Sequence, residues 1–257
     1  MASMLLAQIT DTHVTAASDD QVRGVDPSAR LLTVVRTLNA LAPRPDLVLV
    51  TGDLTADGGP ADYAHLRGIL GQLDMPYYVL PGNHDDRECV RAAFRQDGYL
   101  PETGYLNYVI DGYPLRILAL DTLHAGHPGG RLCLDRLHWL EAALAEERDA
   151  PTVIAMHHPP FFTGLAAFDR DPLEGADAFA SIVAGNPHVE RVLCGHLHRA
   201  VSTRWHGLTI SAAPSTAFEI ALDLRPDAGF RLSRGSTPGY QLHLLTSGGL
   251  VTHTAFL

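Results

Sequence analysis

Asn83 and His84 stand side by side between Gly82 and a pair of carboxylates, Asp85 and Asp86. The stretch follows a short apolar run, Tyr77 to Leu80, closed by Pro81-Gly82, a pair that stops a strand and bends the backbone. An amide oxygen and an imidazole delivered together to a strand end suit a divalent metal. Taken alone, Gly-Asn is also ordinary turn chemistry. The arrangement recurs, however: apolar runs also end at Asp11-Thr12-His13, at Gly52-Asp53, at His157-His158 and at Gly195-His196-Leu197-His198. Each has a plain structural reading. Asp11 and Asp53 could cap helices, His157 could be a satisfied buried histidine, and His196 and His198 could be surface residues of a turn. Five such coincidences at five strand ends are hard to obtain from packing alone.

Two aspartates (Asp11, Asp53), one asparagine (Asn83) and four histidines (His13, His157, His196, His198) are more ligands than one ion takes. The set suits two ions sharing a carboxylate, and Asp53, alone at its strand end, is the natural bridge. Two ions roughly 3.5–4 Å apart can hold a hydroxide at neutral pH and ready it for in-line attack on phosphorus. The chain has no Gly-x-Ser-x-Gly elbow and no Walker-type phosphate loop. Metal-bound water is therefore the expected nucleophile. Aspartate, asparagine and histidine donors admit Mn, Fe, Zn or Co.

The elements that must position these groups alternate. Met4 to Ile9, Leu47 to Val50 and Tyr77 to Leu80 read as continuous apolar strands. Between them lie amphipathic helices, one opened by Asp26-Pro27 with Leu31, Val34, Val35, Leu38 and Leu41 on one face, the other opened by Pro60. That order implies a parallel sheet covered on both faces, with ligands beyond the carboxyl ends of its strands. Tyr105 to Ile110 and Leu115 to Leu120 follow as strands joined at Asp111-Gly112. A helix carrying Leu137, Leu140 and Leu144 comes next, then a strand at Thr152 to Met156, a helix near Ala176 to Val183 and a strand at Arg191 to Cys194. The remainder, about residues 200–257, changes to short strands at Val201 to Trp205, Leu208 to Ser211, Phe218 to Leu222, Tyr240 to Leu245 and Leu250 to Ala255. These are expected to complete a second sheet packed on the first, within a single domain spanning residues 1–257.

Composition narrows the function. With 257 residues, 46% of them hydrophobic, the chain can build a large core. No apolar run approaches the roughly 18 residues needed to span a bilayer, and the N-terminus lacks a signal-peptide pattern. Cys89, Cys133 and Cys194 are odd in number and not spaced for a metal, so they are expected to be reduced thiols of a cytoplasmic protein. A net charge of −10 argues against a nucleic-acid polymer as substrate. It permits a small phosphate ester, because bound cations reverse the local sign.

Asp11-x-His13, Gly52-Asp53, Gly82-Asn83-His84-Asp85, His157 and Gly195-His196-x-His198 stand in the order of the signature of the calcineurin-like metallophosphoesterases, which the chain resembles over most of its length. The resemblance implies an α/β fold, a four-layer αββα sandwich of two mixed sheets flanked by helices, with a binuclear centre. It also implies Asp11, His13, Asp53 and His198 as ligands of one ion, and Asp53, Asn83, His157 and His196 as ligands of the other. The family's His-x-Pro spacing selects His157 over its neighbour His158. His84 is implied to sit beside the phosphate and assist the leaving oxygen, so that His84, Asn83 and Asp53 carry the catalysis.

The run Gly52-Asp53-Leu54-Thr55-Ala56-Asp57-Gly58 lacks the arginine of the protein phosphatases in this superfamily, which argues against phosphoprotein substrates. His157-His158-Pro159-Pro160 and Ala213-Pro214-Ser215-Thr216 resemble the small bacterial branch, which includes class III cyclic nucleotide phosphodiesterases and glycerophosphodiesterases. The expected substrate is a small phosphodiester, 3′,5′-cyclic nucleotides first. The alternatives are a glycerophosphodiester or broad alkyl-phosphodiester hydrolase and, from another class, a catalytically silent binding scaffold. Pocket walls are expected from Asp121 to His127, from Phe161-Phe162-Thr163 and from the segment after Gly207. Phe161 and Phe162 serve there either to stack on a base or to pack the loop. The resemblance also implies a homodimer or higher homo-oligomer, with no membrane partner.

Overall fold

The computed structural model describes residues 3–16 and 24–257. Strands β1 (Met4–Ile9), β2 (Leu47–Thr51) and β3 (Tyr77–Leu80) lie side by side and parallel. They are linked by α1 (Pro27–Ala40) and α2 (Pro60–Leu70). α1 begins where the sequence implies: the Asp26 side chain accepts from the Ala29 amide at 2.8 Å, and Pro27 takes the first helical position. Its buried face carries Leu31, Val34, Val35 and Leu38. After β3 come α3 (Arg87–Ala93), a short 3-10 turn at Arg95–Asp97, and β4 (Tyr108–Ile110) antiparallel to β5 (Arg116–Leu120). Then follow α4 (Leu134–Glu146), β6 (Thr152–Met156), the one-turn α5 (Ala166–Asp169), α6 (Ala176–Ala184) and β7 (Val189–Cys194). The chain ends with β8 (Val201–Trp205), β9 (Leu208–Ala212), β10 (Gly239–Thr246) and β11 (Gly249–Phe256).

Two mixed sheets result, in the orders β11-β10-β1-β2-β3 and β4-β5-β6-β7-β9-β8. Alternate side chains of each strand feed different layers. Ala7 and Ile9 of β1 pack with Leu31, Val34 and Leu66 of the helices on the first sheet. Met4 and Leu6 turn the other way, into an inter-sheet layer with Leu49, Ile117, Val153 and Leu193. Leu118, Ile154 and Val192 face Leu140, Leu144 and Phe179 of the helices on the second sheet. This is the helix, sheet, sheet, helix arrangement. Among the described residues no helix is long and apolar enough to cross a membrane.

The C-terminal strands depart from the expectation that they complete the second sheet. β8 and β9 do join it, whereas β10 pairs antiparallel with β1 and extends the first sheet. β1 is almost wholly buried on both faces, so it needs a partner on each side, and β10 supplies the second. Phe218 to Leu222 forms no strand beyond one isolated bridge, Ile220 to Leu232. Its backbone is occupied by side chains instead. His198 Nδ1 bonds the Phe218 carbonyl at 2.8 Å, Ser236 Oγ accepts from the Glu219 amide at 3.3 Å, and Arg199 donates to the Ile220 carbonyl at 2.6 Å.

Candidate metal centre

The loops leaving the strands continue the sheets' hydrogen bonding for two or three residues. The amides of Asp11 and His13 donate to the carbonyls of Gly52 and Asp53, each at 3.0 Å, and Gly195 donates to His157 at 3.0 Å. The end of β1 is thereby locked to that of β2, and the end of β6 to that of β7. Six non-glycine residues among those described adopt positive φ, and five are candidate ligands: Asp11 (51°), His13 (44°), Asp53 (47°), His196 (69°) and His198 (54°). Such left-handed backbone costs of order 1–3 kcal/mol per residue and clusters where function imposes it. Two glycines permit the close approach. A Cβ on Gly82 would lie 2.2 Å from Asp53 Oδ1, and one on Gly52 would lie 2.4 Å from His157 Nδ1.

Asp11, His13, Asp53 and His198, all buried, bring one ligand atom each within 4.8 Å of one another. His157, His158 and His196 form a second such group. Asp53 touches both, with Oδ2 3.7 Å from His13 Nε2 and Oδ1 3.4 Å from His157 Nε2. Asn83 Oδ1 lies 3.2 Å from His157 Nε2, which brings Asn83 to the second group. The structure thus gathers all seven residues singled out in the sequence. The catalytic candidate His84 is held at the rim, its amide donating to Asp53 Oδ1 at 2.9 Å and its ring meeting that of His13 edge-on at 4.8 Å.

The hydrogen bonds fix which nitrogens are free. A backbone carbonyl only accepts, so His157 Nδ1, 2.8 Å from the Thr51 carbonyl, and His198 Nδ1, 2.8 Å from the Phe218 carbonyl, are both protonated. In the neutral rings Nε2 is then a bare lone pair. Yet His157 Nε2 faces oxygens of Asn83 and Asp53, and His198 Nε2 faces His13 Nε2 and Asp11 Oδ1, both at 3.2 Å. Asp11 Oδ1 is buried without a hydrogen-bond donor. Lone pairs turned on one another in this way are stable only around a positive charge, a proton or a metal ion. Metal-ligating histidines characteristically anchor one nitrogen to a carbonyl and aim the other at the ion, the posture that His157 and His198 adopt. The residues present therefore fit a pair of cations.

The electrostatics agree. Burial pushes His13 and His196 down to about 3, so both are neutral at physiological pH, the form a ligand requires. Burial also works to lower His157, but the adjacent Asp53 carboxylate lifts it to about 9. Burial works to raise Asp53, and the neighbouring histidines, His157 foremost with His13 and His84, more than reverse that, holding the carboxylate well below its usual range. His158 is different. Its Nδ1 lies 2.8 Å from Thr122 Oγ1, its Nε2 is buried without a partner, and burial drives its pKa well down. It faces His196, with ring centroids 4.7 Å apart, whereas His157 is the histidine turned toward Asn83 and Asp53.

Several residues outside the predicted ligand set support the cluster. Asp85 takes hydrogen bonds from the amides of Gly82 (2.8 Å) and Leu54 (3.0 Å) and from the Tyr63 hydroxyl (2.9 Å), bracing the Asn83-His84 bend against the loop after β2. Ser215 Oγ donates to the Asp11 carbonyl at 2.8 Å. Phe218 stacks on His198 and His13, and Phe168 meets His196 edge-on at 5.1 Å. A cleft of about 150 Å³ lies over the cluster, lined by His84, Phe168 and Phe230 among others. It shares Phe168, Asp171 and His196 with a neighbouring cavity of about 190 Å³ that Phe161 and Phe162 also line. Phe161 packs on the second core and Phe162 is largely exposed. His124 and His127 stack on each other and line neither space.

Fold and site together are those expected of a phosphoesterase, with candidate metal ligands gathered at strand ends. The model of the calcineurin-like phosphoesterase family matches residues 4–200, and the chain belongs to that family. It is 34% identical over 256 residues to a probable glycerophosphodiester phosphodiesterase, GpdQ, of Arcobacter nitrofigilis, an alignment covering 99% of this chain and 93% of the relative. It is 32% identical over 218 residues to the 3′,5′-cyclic adenosine monophosphate phosphodiesterase CpdA of Escherichia coli, covering 85% and 78%. A dimetal phosphatase from Danio rerio shares the fold at 14% identity, with a TM-score of 0.67 over 98% of each chain.

Proposed function

We propose that the chain is a binuclear metal-dependent phosphodiesterase acting on small phosphodiesters, 3′,5′-cyclic nucleotides first. The observation that carries this is the pair of ligand groups meeting at Asp53, with histidine lone pairs turned inward and carbonyl-anchored from behind. Asp11, His13, Asp53 and His198 would hold one ion, and Asp53, Asn83, His157 and His196 the other, the ions being Mn, Fe, Zn or Co. When bound, such a pair lowers the pKa of a water and polarises a phosphoryl oxygen.

The chain's own residues supply the rest. His84 Nδ1 is bonded to the Ala56 carbonyl at 2.9 Å and therefore carries a proton; with a second proton on Nε2 the ring is an imidazolium, which would pass that Nε2 proton to the departing alkoxide and return to neutral. His84 lines the cleft, where that group would leave. Phe168, between the cleft and the adjoining cavity, gives the organic part of the ester an apolar wall while the phosphate lies against His13 and Asn83. Glycerophosphodiesters are the second reading, favoured by the 99% coverage of the chain by a relative of that name.

The test supplies Mn²⁺ and compares a bis-aryl phosphate, a mono-aryl phosphate, cyclic AMP and glycerophosphocholine. Hydrolysis of the diesters in preference to the monoester supports the proposal. Failure to turn over any of the four would make the chain a binding scaffold.

A further inference from the structure

The layer between the two sheets is apolar over most of its area but turns polar at one margin. There β7, β8, β9, β10 and β11 border a cleft of about 480 Å³, lined by Arg191, Ser202, Ser211, Gln241, Thr252 and Thr254, with Leu250 and Val251 beside them. None of these residues belongs to the metal cluster.

Buried polar atoms in folded chains are nearly always paired. Arg191 Nε, Ser211 Oγ and Gln241 Oε1 are buried and unpaired, and all three belong to residues lining this cleft. Ser211 is 2% exposed and Gln241 3%, so neither side chain has bulk water to turn to. Arg191 spends Nη1 on Thr252 Oγ1 and Nη2 on the Leu250 carbonyl at 3.0 Å. Among the described residues no carboxylate is in ion-pair contact with it, and Glu190 acts on it only from further away. A half-buried guanidinium without a counter-ion is costly, and an anion offsets that cost.

The three unpaired atoms specify more than charge. Arg191 Nε and the Ser211 hydroxyl require an acceptor, whereas Gln241 Oε1 requires a donor. The Gln241 amide is oriented by its Nε2, which donates to Thr254 Oγ1 at 3.1 Å and to the Ala212 carbonyl at 3.4 Å. We propose that this cleft is a second binding site, for a small phosphate that also brings an O–H donor. Hydrogen phosphate has that donor on phosphorus, and a hydroxylated phosphate monoester has it on carbon. Sulfate at neutral pH has the charge and the acceptors but no O–H. The inference stands apart from the proposed hydrolysis, since it uses none of the same residues.

The test is calorimetric titration of the metal-loaded full chain with inorganic phosphate, glycerol phosphate and sulfate, in wild type, Gln241→Glu and Arg191→Lys. Gln241→Glu puts a carboxylate in the cleft that Arg191 lines, at nearly constant volume. Both phosphates should fill one more site per chain in wild type than in Gln241→Glu, while sulfate shows no such difference. Arg191→Lys keeps the charge, loses the fork and should weaken the extra site at least tenfold. Hydrolysis of a bis-aryl phosphate should stay within twofold of wild type in both variants, and thermal melts confirm that each is folded. Equal numbers of phosphates in wild type and Gln241→Glu would overturn the proposal and leave a cleft holding water only. The same difference with sulfate would overturn it too, leaving an adventitious ion only.

Discussion

Gly82→Ala tests the packing that sets Asp53 in place. The added Cβ would lie 2.2 Å from Asp53 Oδ1 and 2.3 Å from the Asp53 amide nitrogen. Ordinary contact begins near 3.4 Å, so the carboxylate must move by about 1.2 Å, the difference between the two distances. Asp53 cannot yield freely, because the His84 amide donates to its Oδ1 and its own carbonyl accepts from the His13 amide. A misplacement of about 1 Å costs roughly 100-fold in rate, or about 2.7 kcal/mol at the transition state. Turnover of a bis-aryl phosphate at saturating Mn²⁺ should therefore fall about 100-fold in Gly82→Ala, with the variant still folded. Gly68→Ala is the control. Gly68 lies in α2, and a methyl added there would meet nothing within 4 Å, so that change should leave turnover alone and stabilise the fold by roughly 0.5–1 kcal/mol. A folded Gly82→Ala protein with more than about a third of wild-type turnover would refute the reasoning.

Asn83→Ala removes the amide oxygen that faces His157 and should lower turnover by about two orders of magnitude or more, measured with the same diester while circular dichroism confirms the fold. Asp53→Asn removes the shared negative charge and should leave at most one tightly held ion per chain by elemental analysis. Acid should unfold the metal-free protein by a specific route. His13, His196 and His243 are each buried and pushed down to about 3, and burial drives His158 well down too. Near pH 5 the unfolded chain, whose histidines titrate near 6.5, therefore holds four more histidine protons, while Asp85, raised by burial to about 6, keeps one in the folded chain, a net difference of about three. Stability then falls as pH falls, approaching about 4 kcal/mol per pH unit near pH 5, as urea denaturation at stepped pH would measure. His157 acts on the other side. Its pKa is raised to about 9, so its contribution is full below about 6.5 and fades as pH rises through 9, leaving the acid limb untouched.

The candidate ligands were legible because each directly follows an apolar strand, and a strand's length and end are short-range properties of sequence. β1, β2, β3, β6 and β7 lie where their apolar runs do, and Asp26-Pro27 marks the start of α1. The partnering of strands was not legible in the same way. Nothing local in Tyr240 to Leu245 says that β10 pairs with β1, at the other end of the chain, rather than with β9. Phe218 to Leu222 has strand composition but gives its backbone to His198, Ser236 and Arg199, side chains brought to it by tertiary structure. The seven-residue α3 and the one-turn α5 are too short to show helical periodicity. The left-handed backbone of Asp11, His13, Asp53, His196 and His198 is likewise invisible in sequence, since none is the glycine that usually marks it. Asp85 stands in plain view in the Gly-Asn-His-Asp run, but its role as a brace shows only once the Leu54 amide and Tyr63 hydroxyl are seen to meet it.

The most direct test titrates Mn²⁺ into chelator-treated protein and follows bound metal and hydrolysis of a bis-aryl phosphate in one series. The account predicts two ions per chain at saturation, with hydrolysis appearing as the second ion fills. Saturation at a single ion, or full occupancy with the diester left intact, would contradict it.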